Sequence, residues 1–299
     1  MTGARFATLR DRGIVGIRGE EARSFLQGLI SNDIGTVSPT RAIYATLLTP
    51  QGKFLHDFFI AEHEGGLLLD CEANRAADLI KRLTLYRLRS KVEITDRSAA
   101  FSVAVVFGID AESTIGLGEE LGVAKSFAGG IAYVDPRLAA MGARLILPTT
   151  SIDIALQKLA CPAGSAEDYH RHRLALGVPD GSRDVPIDKG FLLECNFEEL
   201  HAIDFNKGCY VGQELTARTK YRGTVRKRLF RVEIEGSLPP PGTAIMLGDK
   251  EVGVMRSGFE QVGIAQLRIE GFEAAAASGQ PLTAGDAKLK PTKPDWVRF

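Results

Sequence analysis

The sequence predicts an α+β protein that ends in a small antiparallel β-barrel. Two observations carry that expectation. Alternating runs mix with amphipathic helices in no regular strand–helix order, and helical periodicity disappears after Gly223. At 299 residues the chain can bury two or three cores. Taken in order, Arg5–Leu9 and Gly13–Ile17 read as a hairpin closed through Asp11-Arg12-Gly13. A helix is expected over Glu20–Ile30, where Phe25, Leu26, Leu29 and Ile30 share a face and two glutamates favour the positive end. Ser31-Asn32-Asp33 breaks it. Ile43–Leu48 reads as a strand, and Phe54–Glu62 with Gly66–Cys71 as a second hairpin. The spacing of Ala76, Leu79, Ile80 and Leu83 predicts a helix over Asn74–Leu88. Strands follow at Lys91–Asp96, Phe101–Gly108, Ile131–Asp135 and Ala143–Leu147. Helices are expected at Ser151–Leu159 and Ala166–Leu176, the second stopped by Gly177 and Pro179. Beyond Gly223, Phe230, Val232 and Ile234 alternate, and Ala244–Leu247, Val252–Met255 and Gly263–Leu267 are short strands between glycine and proline turns. The run Ala274–Ala277 is too short to define an element. A boundary is expected near Tyr221–Thr224, dividing residues 1–222 from 223–299.

The 37 basic and 37 acidic residues cancel, with 44% hydrophobic residues. That balance excludes a disordered chain and a general nucleic-acid coat protein, while leaving room for a local basic patch. Apolar runs such as Phe101–Ile109 fall far short of the ~20 residues of a spanning helix. The first ten residues show no secretory apolar core, so a cytoplasmic protein without a membrane segment is expected. Cys71, Cys161, Cys195 and Cys209 form no Cys-x-x-Cys pair. Reduced thiols, and no self-contained metal site, are expected.

The most unusual stretch is Asn206-Lys-Gly-Cys-Tyr-Val-Gly-Gln-Glu-Leu-Thr-Ala-Arg218. It reads as a loop feeding a helix that begins near Gly212. Gly208 permits a tight or left-handed backbone just before the cysteine, which places Cys209 near the helix N-terminus; that position and the Lys207 ammonium close in sequence both favour thiolate. A buried small hydrophobe is the alternative for a lone cysteine.

Lys207-Gly-Cys-Tyr-Val-Gly-Gln-Glu214 resembles the signature of the YgfZ family of folate-binding iron–sulfur cluster assembly factors, which includes mitochondrial relatives. The resemblance continues through Leu215–Phe230 and, more loosely, covers Phe25–Asp33, Gln51–Asp57 and Leu85-Tyr-Arg-Leu-Arg-Ser-Lys-Val92. It implies a fold similar to the aminomethyltransferase of glycine cleavage: subdomains around a central cavity, two of them intertwined α+β units, plus the C-terminal barrel. It implies maturation or repair of [4Fe–4S] proteins, with tetrahydrofolate bound near Cys209 and indirect effects on tRNA modification. Expected partners are iron–sulfur assembly proteins or client [4Fe–4S] enzymes.

Glu194, in Phe191-Leu-Leu-Glu-Cys-Asn196, matches the position of the transferases' pterin-binding glutamate. A carboxylate, an acceptor only, suits the pterin's donor edge. Lys207, Tyr210, Arg173 and Arg218 are further folate-binding candidates, Arg173 because an arginine precedes a Gly-x-Pro helix exit here, as in the family. Seven cations and no acids fall between Ala217 and Arg231, apt for a folate polyglutamate tail, a phosphate backbone or an acidic partner, with at least half of them expected on a solvated face; direct nucleic-acid binding has no other support. A folate-dependent one-carbon transferase is the alternative function. Such enzymes resemble this chain but carry Asp-Asp where it reads His56-Asp57, leaving Asp57 as the candidate base. A thiol hydrolase would need a histidine base beside Cys209, which no sequence neighbour supplies.

Overall fold

The computed structural model describes residues 3–299, which form two compact units. The first unit comprises the described residues up to Pro50, Leu55–Tyr169 and Leu200–Gln213. Its strands are β1 (Arg5–Leu9), β2 (Arg12–Arg18), β3 (Ile43–Leu48), β4 (Phe54–His63), β5 (Gly66–Glu72), β6 (Glu93–Asp96), β7 (Phe101–Phe107), β8 (Ala124–Phe127), β9 (Gly130–Val134) and β10 (Ala143–Pro148). They build two five-stranded sheets, ordered β1-β7-β10-β9-β8 and β3-β4-β5-β2-β6.

The β4–β5 hairpin forms as expected, with Ile60 opposite Leu69. The opening hairpin does not. β1 pairs with β7, Arg5 opposite Phe107, whereas β2 lies between β5 and β6 in the other sheet. Residues 13–17 of β2 are all buried, so both edges of that strand are covered and none is left for β1. The first helix is also shorter than its pattern, Ala22–Gln27, because Ile30 leaves the helix to bridge Leu47. It packs with the helix Ala76–Arg87 over one sheet, burying Leu26, Phe58, Leu69, Leu79 and Leu83. The other sheet's core gathers Val106, Leu145, Leu147, Ile152 and Leu156.

The second unit comprises Gln51–Phe54, His170–Glu199 and Glu214–Phe299. Its strands β11 (Lys227–Glu235), β12 (Ala244–Leu247), β13 (Lys250–Phe259), β14 (Val262–Arg268), β15 (Leu282–Ala284) and β16 (Ala287–Thr292) close a barrel in the order β11-β14-β13-β12-β15-β16. Closure leaves no unpaired edge, and Phe230, Val232, Ile245, Val252, Met255 and Leu267 fill the interior. The expected boundary at 222/223 falls just ahead of β11. Three elements within this region were not expected: the short strands β15 and β16, and a helix at Ile269–Ser278. Its buried face is made of Gly271 and Ala275 beside Phe272, and a Cβ on Gly271 would meet Val252 at 2.6 Å. Small residues let the helix lie close to the barrel but give no large-residue period to read.

Candidate functional site

The signature loop is stitched to the segment that ends the first helix. Ser31 Oγ donates to the Ala202 carbonyl at 2.6 Å and accepts from the Thr46 amide at 2.9 Å. Asn32 Nδ2 donates to the carbonyls of Tyr44 and His201, each at 2.8 Å. The Asp204 amide donates to Ser31 O, and its carboxylate receives the amides of Asn206 and Lys207. Lys207 then reaches back: its Nζ donates to the carbonyls of Gln27, Ile30 and Asn32 at 2.9, 2.6 and 2.9 Å. An ammonium has three donors, and all three are taken. Burial lowers the Lys207 pKa to about 8, against the opposing pull of Asp33 and Asp204. This is an anchoring geometry, with the cation held over the last carbonyl of the short helix and two carbonyls of the segment that follows it.

On the other side of the thiol, Tyr210 is buried, its amide donates to Gln213 Oε1 at 3.2 Å, and the Val211 amide donates to the Gly28 carbonyl. Lys207 and Tyr210 are each 8% exposed, while Gly208 and Cys209 between them are exposed. The loop is therefore a rigid frame that presents a thiol at its tip. Gly208 does not adopt a left-handed backbone, and nothing lies within 4 Å of a Cβ placed on it. The glycine that the turn requires is Gly212, at φ 83°, just before the helix Gln213–Arg222.

Asp57 sits on β4, buried, and accepts the Tyr44 hydroxyl at 2.7 Å. Its neighbour His56 is bonded to Asp78 at 2.9 Å, and burial followed by the nearby Arg75 lowers its pKa to about 4. The residue beside Asp57 is thus a neutral imidazole, held by Asp78.

Beside Asp57 lies a group that sequence reasoning missed. Asp70, fully buried on β5, takes Arg12 Nε at 2.6 Å on one oxygen and Arg144 Nη2 at 2.5 Å on the other. Burial raises the Asp70 pKa, but the two guanidiniums outweigh it and hold the carboxyl below its ordinary range. Arg137 pairs with Asp135 through two bonds of 3.0 and 2.8 Å, and Arg144 lies 3.9 Å over the Phe59 ring. Arg144, on β10, thereby ties its sheet to the one that carries Asp70 and Phe59, with matched charge. A charge inside an otherwise apolar strand, as in Leu67-Leu-Leu-Asp70-Cys71 and Ala143-Arg-Leu-Ile-Leu147, was the available signal.

In the second unit, Arg173 is buried and nearly saturated. It donates through Nε to His170 Nδ1, through Nη1 to Val178 O and Asp184 Oδ2, and through Nη2 to Ser257 Oγ, at 2.8–3.1 Å. Ser257 is on β13, so Arg173 fastens the helix Ala166–Ala175 to the barrel. Glu194 lies in the turn Leu193–Cys195, half-buried, and no side-chain partner of its carboxylate occurs among the described residues. Of the seven cations in the basic run, Lys220 pairs with Glu198, Arg228 with Glu199 at 2.9 Å and Arg231 with Glu233 at 3.1 Å. Arg218, exposed on the helix Gln213–Arg222, has no acidic partner among the described residues, nor do Arg222, Arg226 and Lys227. Among the described residues, no three His, Cys, Asp or Glu side chains gather as a metal-binding set.

Four similarities bear on this geometry. The family described as the CAF17 C-terminal beta-barrel domain matches residues 226–299. The human mitochondrial iron–sulfur cluster assembly factor IBA57 is 36% identical, covering 98% of this chain and 86% of that protein. Its mitochondrial homologue in Mycosarcoma maydis is 30% identical over 95% and 79%. The glycine cleavage aminomethyltransferase of Bartonella henselae superposes with a TM-score of 0.78 over 99% of this chain and 87% of its own, at 14% identity, a likeness of fold alone. The relatives carry the IBA57 name, YgfZ being a related branch. They are also named as mitochondrial, which overturns the cytoplasmic location expected above.

Proposed function

The chain belongs to the IBA57 family of iron–sulfur cluster assembly factors, and from that membership we propose that it serves the maturation or repair of [4Fe–4S] proteins, with Cys209 as the working thiol and reduced folate bound at Glu194. The observation that carries this reading is an exposed thiol framed by two buried anchors, Lys207 and Tyr210. A cubane cluster takes four thiolates. One cysteine on a rigid tip is suited to completing a cluster site whose other ligands come from a partner. The cluster is cargo here, either on its way to a client enzyme or being restored in one.

Tetrahydrofolate fits the free groups of the second unit. The half-buried Glu194 carboxylate is an acceptor without a side-chain partner among the described residues, the chemistry a pterin's donor edge needs. Arg218 is an unpaired cation suited to the acidic tail. Lys207 and Arg173, whose donors are largely taken within the protein, act as positioning residues, and Tyr210 as the wall beside the thiol. Bound reduced folate would supply a one-carbon carrier. The transferase alternative is weakened by His56, which is buried, neutral and held by Asp78 in place of an acid.

Complementation tests the thiol. In cells lacking the protein, wild type should restore [4Fe–4S] enzyme activity and Cys209→Ser should not; full rescue by the serine variant removes the thiol from the mechanism. Fluorescence titration tests the folate. Saturable tetrahydrofolate binding, weakened about tenfold or more by Glu194→Gln, without turnover of an aminomethyl donor, is expected. Transfer of a formaldehyde equivalent would restore the transferase.

A further inference from the structure

The segment Leu85-Tyr-Arg-Leu-Arg-Ser-Lys-Val92 resembles the family's pattern yet has no place in the site just described. It forms the last turn of the helix Ala76–Arg87 and the turn that follows. Leu85 is 69% exposed, Tyr86 37% and Leu88 87%, a concentration of apolar side chains in solvent at one corner of the first unit. Leu88 ends the helix at φ 44°, ψ −109°, a conformation that an ordinary side chain adopts only when its surroundings impose it.

The surroundings do impose it. The Ser90 amide donates to Arg87 O, the Lys91 amide donates to the Glu21 carboxylate at 2.5 Å, and Val92 is buried in the core. Beneath the turn, Gly19 at φ 122° lies so close that a Cβ on it would stand 2.1 Å from the Lys91 carbonyl. The exposed leucine is held in place from both sides. The turn is thus fixed by its own unit while the side chain of Leu88 stands in solvent.

Charge narrows what could meet it. Arg18 pairs with Glu64 and Lys91 with Glu20, so these cations are already engaged. Arg87 and Arg89, both exposed, have no acidic partner among the described residues. Arg18, Arg87, Arg89 and Lys91 line a shallow depression of ≈ 380 Å³ together with Glu93, and Glu20, Glu21 and Glu64 stand around it. Cations and acids are therefore balanced locally. A membrane or nucleic acid, attracted by the summed field of many like charges, gains little here. Two directional guanidiniums flanking fixed leucines instead suit carboxylates placed around an apolar contact.

We infer that the turn Leu85–Lys91 is a docking face for a protein partner that presents an apolar contact flanked by Asp or Glu carboxylates. For the identity of that partner as a component of cluster assembly, the inference rests on the function proposed above. The experiment separates the two. A benzophenone photocrosslinker is installed at Leu85 of the full chain and irradiated in cells, and the joined peptide is mapped by mass spectrometry. Expected is a discrete protein adduct whose joined peptide carries Asp or Glu beside an apolar residue. Its yield should fall about tenfold in Arg87→Glu/Arg89→Glu, hold in Arg87→Lys/Arg89→Lys, and recover when the mapped carboxylate is changed to Lys. Both variants should melt with wild type, since the arginines are exposed and unpaired; if the glutamate pair unfolds, Arg87→Gln/Arg89→Gln takes its place.

An adduct indifferent to charge reversal, an adduct to RNA, no adduct at all, or pelleting of the chain with phosphatidylserine vesicles would overturn the inference. The same adduct from a Cys209→Ser chain, on a partner with no part in cluster assembly, would uphold the docking face while counting against the assembly reading.

Discussion

Cys195 and Cys209 stand fourteen residues apart and meet opposite fates. Cys195 ends a single turn, Leu193–Cys195, in the second unit, fully buried, with Gln266 Nε2 3.9 Å from its sulfur. Burial pushes its thiol up to about 12. Cys209, in the first unit, is exposed at the tip of a loop whose flanking residues are buried. The residue type is the same, and what differs is how the neighbouring backbone is secured. Around Cys195 the chain closes over the sulfur. Around Cys209 every hydrogen bond goes to the flanks, so that order is obtained without covering the thiol. The comparison teaches that a loop can be fixed through its flanks while the thiol at its tip stays exposed.

The largest effect that could break the comparison is in native-state labelling. Iodoacetamide should modify Cys209 readily, whereas Cys195 and Cys71, both with thiols near pKa 12, react only through unfolded molecules, about 10³-fold more slowly or less. Mass spectrometry showing comparable rates for Cys195 and Cys209 would end the contrast. Next in size is function. In the complementation assay Cys195→Ala should rescue within about twofold, since a buried small side chain costs only ~1 kcal/mol, while Cys209→Ser falls below about a tenth of wild type.

Lys207→Met probes the frame itself. Three carbonyls lose their donor, so a loss of about 2–3 kcal/mol is expected in denaturant melts, with faster amide exchange confined to residues 208–211. Unchanged exchange there would show that the loop is held by something else. The smallest effect is in alkaline stability. Cys195 keeps in the folded state a proton that the unfolded chain releases from about pH 9, so its contribution is full below that pH and is lost as pH rises toward about 12. At about pH 10 this is worth ~1 kcal/mol, and Cys195→Ala should flatten the stability curve there by that amount.

Much of the fold was legible in the sequence, for a physical reason. The second half of β11 alternates because one face of a barrel strand is buried and the other wet, and Phe230, Val232 and Ile234 declare it. Alternation says nothing about which strand is the neighbour, so β1 and β2 looked like partners and belong to different sheets. The helix Ile269–Ser278 escaped notice because its contact face is glycine and alanine. At the site, glycines around Cys209 marked the loop, but the acceptors of Lys207 are main-chain carbonyls, and carbonyls have no signature in a sequence. Arg173 was legible as a residue worth noticing and not in its use: four bonds within its own unit can be counted only once Ser257 and Asp184 have been brought beside it.

The Lys207 anchor joins atoms 175 to 180 residues apart along the chain. During synthesis on the ribosome, the carbonyls that will receive this ammonium emerge long before it does, and Cys209 follows it by two residues. The frame around the thiol is therefore completed only as the thiol itself is made, and no shorter chain carries it.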